Sequence, residues 1–180
     1  MAMAISVPLY TVDDLEQFPD DGNRYELLDG VLLVTPQASA PHQIVAHRIS
    51  VELAISLQKT GLAQVVSPGA VVQPPRTQLQ PDILVYPARF SPATDWRKIT
   101  EHWLAVEVFS RSSRMYDREF KRDAYFALGV QHVWLVDWHE RFVELCTAKG
   151  TSRIISDEIR WRVAGVDVAI DLREVFAGLP

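Results

Sequence analysis

Two apolar runs, residues 103–109 and 130–136, flank a stretch that reads as a helix over 117–128, with Gly129 as its stop. Strand, helix, strand at this spacing is the pattern of a crossover between parallel neighbours. Asp29-Gly30 separates the short runs 25–28 and 31–35, which is a hairpin signal. The turns at 138–141 and 149–150 point to further antiparallel pairs. The expected fold is therefore α/β in the α+β sense, with a mixed central sheet flanked by helices. Residues 41–59 carry Ile44, Val45, Ile49, Val51, Leu53, Ile55 and Leu57 and read as a buried helix covering one sheet face. Thr11 to Asp14 resembles an N-cap that opens a short helix before Pro19. Residues 62–72, interrupted by Pro68-Gly69, and 83–86 read as strands, and the tail reads as short strands ending in a brief helix.

One globular domain over residues 1–180 is the expectation for this length and for a composition 48% hydrophobic and 23% charged. No run approaches the roughly 18 apolar residues of a spanning helix, so a cytoplasmic protein without a membrane partner is expected. Cys146 is the single cysteine and is read as a small buried hydrophobe. A net charge of −5 argues against indiscriminate nucleic-acid binding and leaves room for a local basic surface.

Glu107 stands inside the apolar run and must be compensated there. An unpartnered buried carboxylate costs several kcal/mol, roughly, or takes up a proton. Alternation along the strand puts Trp103, Ala105, Glu107 and Phe109 on one face and Leu104, Val106, Val108 and Ser110 on the other. Asp82, after Pro81, opens the run 83–86. If the two strands are neighbours, the carboxylates come close, and like charges about 4 Å apart repel by roughly 4 kcal/mol at an effective dielectric near 20. A shared divalent cation with hard oxygen ligands relieves that repulsion, as does a paired Lys or Arg in a purely structural role.

The following helix offers the counter-charge. Asp117, Lys121 and Tyr125 are four apart and share one stripe, which is either a solvated face or one turned toward the acids. Arg111, Arg114, Arg118 and Arg122 surround it and suggest a phosphate-facing patch. His42, His47, His102, His132 and His139 show no metal-ligand spacing and read as structural or exposed. Asp137 reads as a turn residue.

Taken in order, these residues resemble the restriction-endonuclease-like superfamily with the PD-(D/E)XK signature and, within it, the large family described as "putative restriction endonuclease". The pieces are Tyr25-Glu26-Leu27-Leu28-Asp29-Gly30, His42-Gln43, Pro81-Asp82, Glu107-Val108-Phe109-Ser110, Asp117, Lys121, Tyr125, Gly129-Val130 and Trp134-Leu135-Val136-Asp137. The resemblance implies Mg²⁺-dependent phosphodiester hydrolysis, with Mn²⁺ as a substitute, and a metal held by Asp82, Glu107 and the Val108 carbonyl. One departure stands out. The signature has a lysine two positions after the acid, where this chain has Phe109. Lys121 is the expected replacement, and Glu26 is expected to assist metal or water positioning.

The function expected is a metal-dependent DNA endonuclease with Glu26, Asp82, Glu107 and Lys121 as catalytic residues. The alternatives are a DNA-binding or assembly module that keeps the fold without the activity, and a hydrolase of small phosphate esters. Cutting both strands from one carboxylate cluster per chain calls for a homodimer or sequential nicking, and the region 142–156 is the expected dimer surface.

Overall fold

The computed structural model describes residues 8–109 and 120–180. Strands β1 (Arg24–Leu28) and β2 (Val31–Thr35) pair antiparallel, Leu28 opposite Val31. Asp29 and Gly30 make the two-residue turn with φ of 52° and 85°, the left-handed pair that matches strand twist. Glycine is needed at the second place also for space, since a Cβ on Gly30 would lie 3.1 Å from the Tyr10 carbonyl oxygen.

Helix α1 (Ala40–Leu53) begins with proline in its first turn and runs on into a wider turn at Ala54–Gln58. Val45, Ile49, Leu53 and Leu57, four apart, are fully buried, whereas Ile44, Val51 and Ile55 are exposed on other sides. Apolar residues on both faces account for the loose spacing in the sequence. The buried stripe is worth roughly 1.5–3 kcal/mol per side chain.

Strands β3 (Ala63–Val66), β6 (Ile83–Pro87), β7 (His102–Val108), β8 (Val130–Asp137), β9 (Phe142–Thr147) and β10 (Ser152–Ile155) form a six-stranded sheet in the order β10-β9-β8-β7-β6-β3. Only the central pair β7–β8 is parallel among these, with Val108 opposite Val136, and β6 runs antiparallel to β7 with Ile83 opposite Val106. The crossover enters helix α2 (Arg122–Ala127), which is the described part of the helix expected over 117–128; Asp117 lies outside the described residues. Leu104, Val106 and Val108 pack with the α1 stripe, while Ala105 and Phe109 pack on the other face with Tyr125 and Leu135.

Two expectations need correction. The N-terminal hairpin does not extend the central sheet; it belongs to a separate four-stranded sheet, β2-β1-β5-β4, with β4 (Val71–Gln73) and the unforeseen β5 (Thr77–Leu79). The chain leaves the central sheet at Gly69, where a Cβ would come within 2.4 Å of the Leu84 Cβ. Thr11 is not a helix N-cap either. Its N and Oγ1 donate to Asp14 Oδ2 at 2.7 and 2.8 Å, and the helix is a single 3₁₀ turn at Asp14–Gln17. The tail is a hairpin of β11 (Glu158–Val163) and β12 (Val166–Asp171) followed by the short α3 (Leu172–Val175), whose Ile159, Ile170, Leu172 and Val175 complete the α1 cluster. No described helix is long and apolar enough to cross a membrane.

Candidate active site

Asp82 stands one residue before β6, one step beyond the Ile83–Val106 pair, at the end of β7 that carries Glu107. Its Oδ2 accepts from the Val108 backbone N–H at 2.8 Å, and its Oδ1 from Arg24 Nη2 at 2.8 Å. His42 Nε2, from the first turn of α1, lies 3.1 Å from Oδ2. Arg24 is fixed in turn by its Nη1, which donates to the Gln80 carbonyl at 2.9 Å. Burial pushes the Asp82 carboxyl up, but His42, Arg24 and the Val108 N–H outweigh it and hold the group at about 2. Asp82 is thus a buried acid that is charged at neutral pH.

Glu107 is compensated from the other side. Its Oε1 accepts from the Tyr125 hydroxyl at 2.5 Å and from Lys121 Nζ at 3.3 Å. Lys121, immediately before α2, also lies 2.9 Å from Glu26 Oε2, and Glu26 Oε1 accepts from the Gln80 N–H at 2.7 Å. Glu26, Glu107 and Lys121 are all buried. Burial first, then the charges of Glu107 and Glu26, raise the Tyr125 hydroxyl well above the ordinary phenol range, so it stays a donor.

Four elements therefore bring Glu26, Asp82, Glu107 and Lys121 to one end of the sheet. Phe109, at the signature's lysine position, is 2% exposed and packs in the core. Arg111, Arg114 and Arg118 lie outside the described residues, as does Ser110. Arg122 pairs with its neighbour Asp123 at 2.7 Å. Asp137 is not in the turn but is the last residue of β8, paired with Phe142, and its Oδ1 accepts from the N–H groups of His139 and Glu140 in the turn that follows. Cys146 is buried, with its Sγ 3.9 Å from the Glu144 carbonyl oxygen.

Arg24 and His42 were missed as site residues. Arg24 sits two before Glu26 and so shares its strand face, which is a usable signal. His42 had its signal only in the His42-Gln43 piece of the resemblance, because it is the fold that sets α1 against Asp82.

Among the described residues no three of His, Cys, Asp and Glu converge closely enough to hold a metal ion by themselves. The donor chemistry still suits Mg²⁺, which prefers hard oxygen and takes one or two carboxylates, keeping water in its other positions. Asp82 and Glu107, from adjacent strand ends, fit that requirement.

A family model described as "Uma2: Putative restriction endonuclease" matches residues 12–169. No curated protein matches the chain in sequence. A crystal structure of a "putative nuclease belonging to DUF820" from Anabaena variabilis ATCC 29413 is similar in fold, with a TM-score of 0.77 over 93% of this chain and 97% of that one, at 14% identity.

Proposed function

We propose, on the premise that this chain belongs to the Uma2 family, that it is a Mg²⁺-dependent endonuclease hydrolysing phosphodiester bonds in DNA. The observation that supports this most is a single ammonium, Lys121 Nζ, held 2.9 Å from Glu26 Oε2 and 3.3 Å from Glu107 Oε1 beside the charged Asp82. Lys121 then does the work of the signature lysine from a different element.

Asp82, Glu107 and the Val108 carbonyl would hold the ion, which supplies Lewis acidity and neutralises phosphate charge when bound. Lys121 orients the attacking water and stabilises the charge that develops on the phosphoryl oxygens. Glu26 holds Lys121 in place and positions that water. Tyr125 fixes the Glu107 carboxylate by its hydroxyl, and Arg24 fixes Asp82. The same reading makes the protein a single-domain cytoplasmic homodimer, because two sites related by a two-fold axis cut both strands of a duplex.

Supercoiled plasmid incubated with the protein in Mg²⁺, Mn²⁺ or EDTA tests the proposal. Nicked or linear products with either metal and none in EDTA are expected. Plasmid bound but uncut would favour the non-catalytic module, and neither binding nor cleavage would remove the nucleic-acid reading.

A further inference from the structure

We infer that Arg24 contacts the substrate directly, donating from its solvent side to a non-bridging oxygen of the phosphodiester; this rests on the nuclease reading above. Two cations, Lys121 and Arg24, and the imidazole of His42 lie against the site's acids among the described residues. The Lys121 side chain is 3% exposed and that of His42 9%, whereas that of Arg24 is 21% exposed. Lys121 is enclosed between Glu26 and Glu107. Arg24 lies on the border between the acids and solvent.

The guanidinium has five N–H donors in a planar fork. Its described contacts use two of them, Nη1 to the Gln80 carbonyl at 2.9 Å and Nη2 to Asp82 Oδ1 at 2.8 Å. The others are left for an acceptor that arrives from outside. Two anchors also fix the plane of the fork, so little side-chain freedom is lost when a phosphate meets it. The charge is secure. Burial weighs against it, but the fields of Asp82, Glu107 and Glu26 raise the group above its ordinary value. A fork that already holds one oxyanion, the Asp82 carboxylate, is suited to hold a phosphoryl oxygen on its open side. Through it, the substrate phosphate would be set beside Asp82.

The test is the salt dependence of DNA binding in EDTA, measured on the full chain as wild type, R24Q and R24K by anisotropy of a labelled duplex. One phosphate contact adds about 0.9 to the slope of log K against log salt. R24Q is expected to bind with a slope shallower by about that amount, and R24K to keep the wild-type slope. A residue that only positions Asp82 would leave the slope unchanged, and an R24Q slope equal to wild type overturns the inference. Should R24Q fail to fold, R24K carries the test through turnover. Loss of the fork is expected to lower kcat/KM at least tenfold, and wild-type turnover overturns it. A wild type that neither binds nor cuts DNA removes the nuclease reading and this inference with it; an active wild type with an unaltered R24Q slope removes this inference alone.

Discussion

Lys121 Nζ stands between two buried acids, 2.9 Å from Glu26 Oε2 and 3.3 Å from Glu107 Oε1. The ammonium therefore has two tasks, and removing it leaves two carboxylates without their shared cation. K121M is expected to lose plasmid cleavage and about 3–5 kcal/mol of stability in urea unfolding. Adding E107Q should return part of the stability and none of the activity. Full cleavage by K121M would assign the role elsewhere.

Moving the lysine back to the signature position should not work. Phe109 is 2% exposed and packs with Ala105, Tyr125 and Leu135. F109K buries an ammonium in that cluster, at a cost on the order of 3 kcal/mol or more. Plasmid assays of F109K/K121M are expected to show no recovery, and restored cleavage would mean that either element can deliver the charge.

Tyr125 is fully buried and gives its hydroxyl to Glu107 at 2.5 Å. Y125F leaves that carboxylate oxygen with one donor fewer, a loss of about 1–3 kcal/mol. A urea midpoint equal to wild type would show that the bond carries no stability.

Stability should fall in two steps as pH drops. Burial depresses His102 from 6.5 to about 4. Within that window the unfolded chain binds a proton that the folded chain refuses, so stability decreases as pH falls, by about 3 kcal/mol in full. Asp82 has its folded value lowered from 3.8 to about 2. Its contribution, on the order of 2 kcal/mol, is present above the first value and lost as pH falls toward the second. H102Q should flatten the upper step and leave the lower one; a variant that follows wild type through both contradicts the assignment to His102.

The parts of this fold legible in the sequence were those written in short-range signals. Asp29-Gly30 marks its hairpin because φ is positive at both residues, and the parallel pair β7–β8 follows from an apolar run, a helix stop at Gly129 and a second run. Glu107 was conspicuous because a carboxylate in such a run needs a partner. Other parts depend on contacts across the chain. β5 is three residues with one apolar side chain, yet the Gln80 that follows it holds both Arg24 and Glu26. Arg24 reaches an aspartate 58 residues away, and His42 meets the same group from a helix whose apolar spacing is ambiguous. The second sheet was hidden for the same reason, since the chain switches sheets at Gly69 through a close approach to Leu84 that no local pattern records.

The most direct measurement is the anomalous difference map of a crystal soaked in Mn²⁺. One strong peak bound by Asp82 and Glu107 together with the Val108 carbonyl is expected, and its loss in E107Q. Saturating Mn²⁺ with no peak between those carboxylates, in a crystal whose site is open to solvent, would contradict it.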